Sequence, residues 1–255
     1  MVQFRVIPII LIDGEACYKT IKFNKKIYLG DPINIIKIFN DLEVDELMIF
    51  DISKSKDINY KILEKISQES FVPLTYGGKI KNSNDVANVI NVGFEKISIN
   101  TLAIDNQILV KEIVEQFGSS TISISVNLKK NIFNKYKIYN HSLKKKIKFN
   151  FIEYLKNIDK LNPGEIFVTF VDTEGMQSGF DINVVKEIKK HIKSNLVVNG
   201  GLKDFKEIID IKNLGLSGVG ASRIFCFKED LVSILITYID TDTKKIIYEN
   251  RNFRP

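Results

Sequence analysis

The chain alternates between short apolar runs and longer stretches with apolar residues at helical spacing. Eight runs rich in Ile and Val predict strands, at residues 6–12, 46–52, 72–78, 96–101, 121–127, 165–172, 196–201 and 218–222. Helices are predicted between most of them, for example at residues 31–42, 59–69, 83–93, 151–161, 181–192 and 204–215. Because the strands are continuously apolar, the pattern favours a parallel sheet that is covered by helices.

The second half of the sequence repeats landmarks of the first half. Three pairs recur in the same order: Asp51 and Asp172 are 121 positions apart, Gly77 and Gly200 are 123 apart, and Gly93 and Gly215 are 122 apart. A long internal period indicates a structural unit used twice. Two units of four βα steps predict an α/β fold, a closed (β/α)8 TIM barrel built from two duplicated half-barrels, and an open doubly wound sheet is the alternative.

The predicted barrel occupies residues 1–240 and leaves residues 241–255 as a polar C-terminal tail. We interpret this tail as irregular, and it either caps the barrel or is partly disordered. The N-terminal apolar run is too short for a signal peptide, and no window resembles a membrane span, which predicts a cytoplasmic protein.

Composition changes this picture little. The net charge is +6, but lysines are interleaved with acidic residues almost everywhere, so no nucleic-acid partner is expected. We interpret the densest basic run, residues 142–150, as a solvated loop with at most a weak role in attracting anionic substrates. No metal site or cofactor is predicted.

The glycine pairs are the strongest local signal for chemistry. They follow predicted strands, and the next strand in each half ends in small polar residues; the members are Gly77, Gly78, Asn100 and Thr101 in the first half and Gly200, Gly201, Ala221 and Ser222 in the second. Either the glycines satisfy tight turns, or their backbone N–H groups hold anions at the face where barrel strands end. Two such sites predict a substrate with phosphate at each end.

Several segments resemble one family. The segments "RVIPIILIDG", "GDPINIIKIFNDLEVDELMIFDI", "YGGKI", "EKISINTLAIDN", "GEIFVTFVDTEGMQSGFD" and "GASRIF" resemble the cyclase subunit of imidazole glycerol phosphate synthase, in register over roughly residues 4 to 235. The resemblance implies a duplicated (β/α)8 barrel and a substrate with two phosphates. It also implies a glutaminase partner that docks at the N-terminal face of the barrel and releases ammonia into the interior.

The resemblance assigns a charged gate to the ammonia entrance. All four of its side chains are present, as Arg5, Glu46, Lys96 and Glu165. Without the family, each would be interpreted as a surface charge near a strand start, where ion pairs contribute little.

The family's acid–base pair is not matched. One carboxylate belongs where this chain has Leu11, since Asp13 aligns with the following Asp-Gly turn, and the other belongs at Asn127. Neither side chain can exchange a proton near neutral pH. Asp51, Asp172 and Glu174 remain at predicted strand ends, where they either stabilise turns or take over proton transfer.

Other positions also depart from the family. Lys79 replaces a third glycine of the first phosphate site, where it either adds positive charge or blocks the approach. The loop after Gly201 is shorter, which puts the second site in doubt. The segment "FNKKIYLGDPINIIKIFN", combined with an apolar first strand end, resembles the paralogue found with surface-polysaccharide genes. This resemblance implies a phosphorylated or nucleotide-linked sugar as substrate.

Three functions therefore remain open. The first is ammonia delivery for amidation of a polysaccharide sugar, the second is the histidine-pathway cyclase reaction, and the third is a non-catalytic scaffold that activates a glutaminase. The remaining reactive residue types do not add a fourth. His141 and His191 are interpreted as solvated, and Cys17 and Cys226 as small buried residues.

Overall fold

The computed structural model describes residues 3–147, 149–228 and 233–248. Its strands are β1 (Arg5–Asp13), β2 (Ala16–Ile21), β3 (Lys25–Gly30), β4 (Leu47–Asp51), β5 (Leu74–Gly77), β6 (Lys96–Ile99), β7 (Ile122–Lys130), β8 (Tyr136–Asn140), β9 (Lys145–Lys146), β10 (Glu165–Phe170), β11 (Asn195–Asn199), β12 (Gly218–Ala221), β13 (Phe227–Lys228) and β14 (Ser233–Ile234). Its helices are α1 (Pro32–Asp41), α2 (Tyr60–Glu69), α3 (Ser83–Asn91), α4 (Thr101–Asp105), α5 (Gln107–Phe117), α6 (Phe151–Asp159), α7 (Ile182–His191), α8 (Phe205–Asn213), α9 (Arg223–Cys226) and α10 (Thr241–Tyr248).

Eight parallel strands close into a barrel. Around the barrel the order is β1, β4, β5, β6, β7, β10, β11 and β12, and the sheet closes because β12 pairs with β1. Each of the eight predicted apolar runs supplies one of these strands. The (β/α)8 prediction is confirmed, and the open-sheet alternative is wrong because neither end of the parallel sheet is free.

The helices form where apolar spacing and capping residues coincide. Helix α1 begins at Pro32, and the side chain of Asp31 caps it by accepting the N–H of Ile33 at 2.9 Å. Its inner face buries Ile36 and Phe39 completely. Burial of such faces between helices and strands forms the main hydrophobic core outside the barrel.

Two hairpins at the barrel mouth, the end where the parallel strands finish, were not predicted. Strands β2 and β3 form one directly after β1, and β7 continues into β8 and β9. The basic run contributes β9 and the turn before it. Helix α5 was also absent from the predicted examples, although its Val110, Ile113 and Val114 are buried at helical spacing.

The last βα step departs from the regular pattern. Helix α9 has only four residues, and β13 and β14 follow it as a short antiparallel pair. Beyond them, the interpretation of the C-terminal tail as irregular is wrong for Thr241–Tyr248, which form α10. Its remaining residues, 249–255, lie outside the described part of the chain.

Tyr238 and Tyr248, the latter at the end of α10, connect the start of β1 to the segment before β4. The Asp45 Oδ2 atom accepts the N–H of Val6 at 2.7 Å and the hydroxyl of Tyr238 at 3.2 Å, and it also pairs with the Tyr248 hydroxyl. The Tyr238 hydroxyl reaches the Val6 carbonyl oxygen at 2.7 Å. Residues 241–248 thus pack against the outside of the barrel next to its amino-terminal end.

Adjacent isoleucines in α10 test this packing. Ile247 is 4% exposed and Ile246 is 41% exposed. We expect Ile247→Ala to lower the free energy of unfolding by about 2–4 kcal/mol because it leaves a buried cavity. Ile246→Ala should change it by about 0.5 kcal/mol or less. Urea denaturation of both variants measures the difference, and equal losses would contradict the packing of α10.

Candidate functional site at the floor and mouth of the barrel

The amino-terminal end of the barrel, which we call the floor, is closed by four charged side chains. Arg5, Lys96 and Glu165 are the first residues of β1, β6 and β10, and Glu46 directly precedes β4. We call these four residues the ionic ring. The sequence placed them at four strand starts, and the structure brings all four into contact.

Each cation in the ionic ring contacts both carboxylates. Arg5 pairs with Glu46 and donates from Nη2 to Glu165 Oε2 at 2.6 Å. Lys96 Nζ lies 3.2 Å from Glu46 Oε2 and 3.3 Å from Glu165 Oε2. Thr75 Oγ1 also donates to Glu46 Oε1 at 2.5 Å. Two positive and two negative charges therefore neutralise one another at the floor.

Mutual pairing keeps Glu165 and Arg5 charged in spite of burial. Burial opposes ionisation of Glu165, but the charges of Lys96 and Arg5 hold the pKa of its carboxyl below the ordinary value. Burial likewise disfavours charged Arg5, but Glu165 and Glu46 raise the pKa of its guanidinium. The ionic ring is thus a set of fixed charges whose arrangement depends on all four members.

Above the ionic ring, the barrel interior has an apolar side. Ile7, Ile9, Met48, Phe167 and Val197 form a separate buried cluster inside the barrel, and Leu11 and Phe50 pack against it.

The other side of the interior is polar. Thr75, Ser98, Ser123 and Ser125 are buried on three neighbouring strands, β5, β6 and β7. Ser98 and Ser125 hydrogen-bond to each other through their hydroxyls. The interior next to Glu46 and Lys96 therefore carries hydroxyl groups on one side.

Leu11 and Asn127 lie on opposite walls at the mouth. They belong to β1 and β7, which are four strands apart around the barrel. Leu11 is half-buried against the apolar cluster, and Asn127 is half-buried in register with Thr169 of β10. Neither side chain can act as an acid or a base at its position.

The three remaining acids of the mouth are engaged by the protein itself. Asp51 Oδ2 pairs with Lys79 Nζ at 2.6 Å, and Asp172 Oδ2 accepts the backbone N–H of Lys130 at 2.6 Å. Glu174 forms a buried ion pair with Lys19. These contacts stabilise the loops that surround the mouth.

Lys79 neither extends freely into the mouth nor closes it. Its ammonium group donates to Asp51, to Ser53 Oγ at 2.5 Å and to the Asp57 carbonyl oxygen at 3.3 Å. Its backbone has φ 59°, a left-handed conformation that favours glycine. Lys79 thus forms an ion pair with the end of the neighbouring strand β4.

The glycine pairs pack tightly against neighbouring strand ends. A Cβ at Gly200, which has φ +93°, would lie 2.5 Å from the Phe170 carbonyl oxygen. At Gly78, with φ +135°, it would lie 2.9 Å from the Asp51 carbonyl oxygen. Gly201 is restricted in the same way by Thr173. Backbone conformation and close packing therefore both require glycine.

The other predicted phosphate-site residues follow at the next strand ends. Asn100 donates its side-chain amide to the Ser125 carbonyl oxygen at 2.7 Å, and Thr101 Oγ1 lies 3.3 Å from Ser142 Oγ. In the second half, Ala221 ends β12 and Ser222 Oγ lies 4.0 Å from Cys226 Sγ. Helix α4 begins at Thr101 and helix α9 begins directly after Ser222, both without a side-chain cap.

The two histidines, which were predicted to be solvated, each contact a neighbouring side chain. His191 pairs with Glu187 on α7. His141 lies edge-on to Phe23, where burial, Lys144 and Lys129 lower the pKa of its imidazole. It joins the two hairpins of the mouth, which the sequence did not predict.

Both cysteines are buried. Burial raises the thiol pKa of Cys17 to about 12 and that of Cys226 to about 11. Neither is a reactive thiolate at neutral pH.

Sequence reasoning missed several residues at the two ends. Lys19 and Arg223 were not predicted as site residues. Arg223 Nη1 donates to the Gly175 carbonyl oxygen at 2.8 Å. The inward-facing residues Thr75, Ser98 and Ser123 were also missed. Their signal was the small hydroxyl residue at every second position of otherwise apolar strands, which is typical of one wall of an interior.

Comparison with known proteins decides the family. The model of the family described as "Histidine biosynthesis protein" matches residues 5–231. The chain belongs to this family. A relative from Pseudomonas aeruginosa, provisionally named imidazole glycerol phosphate synthase subunit hisF2, is 33% identical over 246 residues, which cover 95% of this chain and 98% of the relative.

Other members of the histidine biosynthesis protein family are similarly related. A provisionally named imidazole glycerol phosphate synthase subunit HisF from Leptospira interrogans is 32% identical and covers 97% of this chain and 100% of its own. The imidazole glycerol phosphate synthase subunit HisF of Petrotoga mobilis is 30% identical over 229 residues, which cover 88% of this chain and 91% of the relative. The resemblance to HisF-like proteins is therefore confirmed. No helix in the described ranges is long and apolar enough to cross a membrane.

Removing one member of the ionic ring should destabilise the barrel. Glu46 is 3% exposed, and its loss would leave Thr75 without its acceptor and would leave Glu165 as the one carboxylate that the ring offers to Arg5 and Lys96. We expect Glu46→Ala to lower the free energy of unfolding by about 2–4 kcal/mol, reduced from a fully buried case because the cations retain some solvent. Chemical denaturation at neutral pH measures this loss.

The matched control for Glu46→Ala is Glu115→Ala. It removes an exposed ion pair in which Glu115 Oε1 lies 3.8 Å from Lys111 Nζ, and it should lower the free energy of unfolding by about 0.5 kcal/mol or less. Because the pKa of Glu165 is lowered in the folded state, the stabilisation by its charge is present above the ordinary value of 4.5 and declines as pH falls through the folded value. Equal losses of unfolding free energy in Glu46→Ala and Glu115→Ala would contradict the energetic role of the ionic ring.

Proposed function

We propose that this protein is the ammonia-accepting subunit of a glutamine amidotransferase complex that acts on a phosphorylated or nucleotide-linked sugar, in the amidation of a surface polysaccharide. The observation that carries this proposal is the contrast between the two ends of the barrel. The floor has a complete ionic ring, whereas the resemblance to the cyclase family assigns its two carboxylates to the positions of Leu11 and Asn127, which have none.

The ionic ring supports an entrance for a small neutral molecule. Its charges are fixed by mutual pairing, and Arg5 and Lys96 retain side-chain exposures of 16% and 17%. A side-chain movement of either cation would open the contact between solvent and interior. Ammonia, released by a glutaminase at this face, could then pass from the floor toward the mouth.

The polar wall supports transfer through the interior. Thr75 donates a hydrogen bond to Glu46 of the ionic ring. On β6 and β7, Ser98 and Ser125 add further hydroxyl groups to the same wall. The facing apolar cluster excludes bulk water from the same space. Ammonia would therefore meet hydrogen-bonding groups on one side and a water-excluding surface on the other.

The mouth supports an anionic acceptor. The two glycine pairs, Asn100, Thr101, Ala221 and Ser222 lie at repeat-related strand ends, and the uncapped helices α4 and α9 begin beside them. Backbone N–H groups at such positions bind phosphate in many barrels. Lys79 would act indirectly, by holding Asp51 neutralised beside the first glycine pair.

Phe71 supports a docking surface at the floor. It lies in the loop that leads into β5, and it is 86% exposed. Asn40 fixes this loop by accepting the Phe71 N–H at 3.0 Å and donating to the Glu69 carbonyl oxygen at 2.8 Å. An exposed aromatic ring on a fixed backbone is typical of an anchor residue in a protein interface.

A histidine-pathway cyclase is the second candidate, and the family membership favours it. It would need Asp51, Asp172 or Glu174 to replace the missing carboxylates. Asp51 and Glu174 are paired with lysines, and one oxygen of Asp172 accepts a backbone N–H, so all three already make contacts within the protein. Complementation of a cyclase-deficient strain tests this alternative, and growth without histidine would favour it over amidation.

A scaffold that only activates a glutaminase is the third candidate. Calorimetric titration with sugar bisphosphates and nucleotide-linked sugars separates it from the proposed function. Saturable binding that Gly200→Ala abolishes would support an acceptor site at the mouth. A complete lack of binding by the complex would favour the scaffold.

The proposed function predicts activation of a glutaminase. When the protein is purified with a HisH-type glutaminase from the same organism, we expect a stable complex and faster glutamine hydrolysis than by the glutaminase alone. Size-exclusion chromatography and a coupled assay for glutamate measure both properties. If no complex forms, or if the hydrolysis rate is unchanged, the proposed function is wrong.

The docking surface predicts a specific effect of Phe71. We expect Phe71→Glu to weaken binding of the glutaminase by at least about tenfold, as expected for an interface anchor. Phe133→Glu is the matched control, because Phe133 is 73% exposed in the β7–β8 turn at the opposite end of the barrel. Surface plasmon resonance measures both affinities, and equal weakening would argue against docking at the floor.

A further inference from the structure

The positive charge of the chain is concentrated in one segment at the mouth. Residues 116–152 contain eight lysines and no arginine, aspartate or glutamate. The whole chain has 37 basic and 31 acidic residues, so the remainder has 29 basic and 31 acidic residues and a net charge of −2. The net charge of +6 therefore arises entirely from this segment.

Residues 128–146 of this segment form a three-stranded antiparallel ribbon, which we call the basic ribbon. It consists of the end of β7 together with β8 and β9, and its register places Lys129 opposite Lys137 and Lys146 opposite Tyr139. Opposed residues share a face of the ribbon, as do residues two positions apart on one strand. All three lysines therefore lie on one face, and Lys129 Nζ lies 4.7 Å from the centre of the Tyr139 ring.

The other face of the basic ribbon packs on the barrel. Leu128 and Ile138 form the neighbouring opposed pair, and both are buried. Tyr136, on the same face as Ile138, packs edge-on against Phe151 and Phe170. The lysine face consequently points away from the barrel.

Both turns of the basic ribbon hold apolar side chains in solvent. Ile132 and Phe133 in the β7–β8 turn are 91% and 73% exposed, and Leu143 in the β8–β9 turn is 60% exposed. Asn131 Oδ1 accepts the N–H of Phe133 at 3.0 Å, and Asn140 Oδ1 accepts the N–H of Leu143 at 3.0 Å. Side-chain hydrogen bonds thus order both turns. Grouped apolar side chains in solvent mark a site of interaction.

We propose that the basic ribbon binds the surface of a membrane rich in anionic phospholipids. The lysine face attracts the headgroups, and Ile132, Phe133 and Leu143 enter the boundary between headgroups and acyl chains. This contact turns the mouth of the barrel toward the membrane and leaves the floor accessible. It requires no membrane-spanning helix, and it is independent of the proposed function.

The composition of the basic ribbon favours lipid over protein or nucleic acid as the partner. Lysine is depleted in protein interfaces, whereas phospholipid headgroups take flexible point charges without a fixed geometry. Single-stranded nucleic acid needs aromatic rings that are free for stacking. Tyr136 packs against two phenylalanines, and Lys129 lies over Tyr139. Lysines beside exposed aliphatic and aromatic side chains instead match an anionic bilayer surface.

Sedimentation of the full chain with lipid vesicles tests the proposal. The probes are vesicles of equal parts phosphatidylglycerol and phosphatidylcholine, and vesicles of phosphatidylcholine alone. We expect saturable binding to the first and none to the second. The affinity should fall with added sodium chloride, because salt screens exposed charges.

Two triple variants of equal net charge separate the lysine face from general attraction. The test variant combines Lys129→Gln, Lys137→Gln and Lys146→Gln, and it should weaken vesicle binding at least about tenfold. The control variant removes three exposed lysines from helices or helix ends elsewhere and should change the affinity about twofold or less. It combines Lys65→Gln, Lys160→Gln and Lys186→Gln.

A fluorescent substitution tests the entry of the turn into the bilayer. The chain contains no tryptophan, so Phe133→Trp supplies a single reporter. Its emission should shift to shorter wavelength with phosphatidylglycerol vesicles and be quenched by brominated acyl chains. Phe71→Trp, at the floor, is the matched control and should show neither change.

Three results would overturn the proposal. They are a lack of binding to phosphatidylglycerol vesicles, equal losses of affinity in the two triple variants, and unchanged emission of the Phe133→Trp variant. Saturable binding of polyglutamate or of an RNA oligonucleotide without vesicle binding would also overturn it and assign the basic ribbon to that class of partner. No glutaminase is present in these experiments, so the predicted glutaminase complex is tested separately.

Discussion

The fold depends on the neutralisation of four charges at the start of its strands. The ionic ring joins side chains from β1, β6 and β10 with Glu46 before β4, which come from widely separated parts of the sequence. Burying any one of these charges alone would be costly. Because each cation contacts both carboxylates, the ionic ring holds the starts of these strands together at the floor. The interior above the ring combines an apolar cluster with a hydroxyl-rich wall.

The two ends of the barrel differ in how their charges are used. At the floor, opposite charges meet one another around the barrel axis. At the mouth, Asp51 pairs with Lys79 in the loop after β5, Glu174 pairs with Lys19 of β2, and Leu11 and Asn127 lie near the ends of the interior strands. This asymmetry underlies the proposal that the protein keeps a nitrogen supply while the acid–base chemistry of related cyclases is absent.

Much of the fold could be predicted from the sequence. The eight apolar runs were sufficient for the strands, and the offset of the glycine pairs indicated two half-barrels, because both signals are local in the sequence. The members of the ionic ring were found through the resemblance to a family. Their mutual contacts could not be derived from spacing, since Arg5 and Glu165 are 160 positions apart.

The parts that escaped prediction depend on contacts between distant segments. The β2–β3 hairpin contains few turn signals, and its position is set by contacts such as that between Phe23 and His141. Helix α10 has a polar sequence, but Ile247 packs against the barrel and Tyr248 reaches Asp45. Likewise, Lys79 was considered as either a ligand or an obstacle, and only its distance to Asp51 revealed a third arrangement.

Isotope competition in the reconstituted complex tests the central claim most directly. The complex receives glutamine labelled with 15N in its amide group, a large excess of unlabelled ammonium, and nucleotide-linked sugars extracted from cells. The aminated carbohydrate that forms is analysed by mass spectrometry. If ammonia travels inside the barrel, the product carries mainly 15N despite the excess. A product with the isotope ratio of the bulk solution, or no labelled carbohydrate at all, would contradict the account.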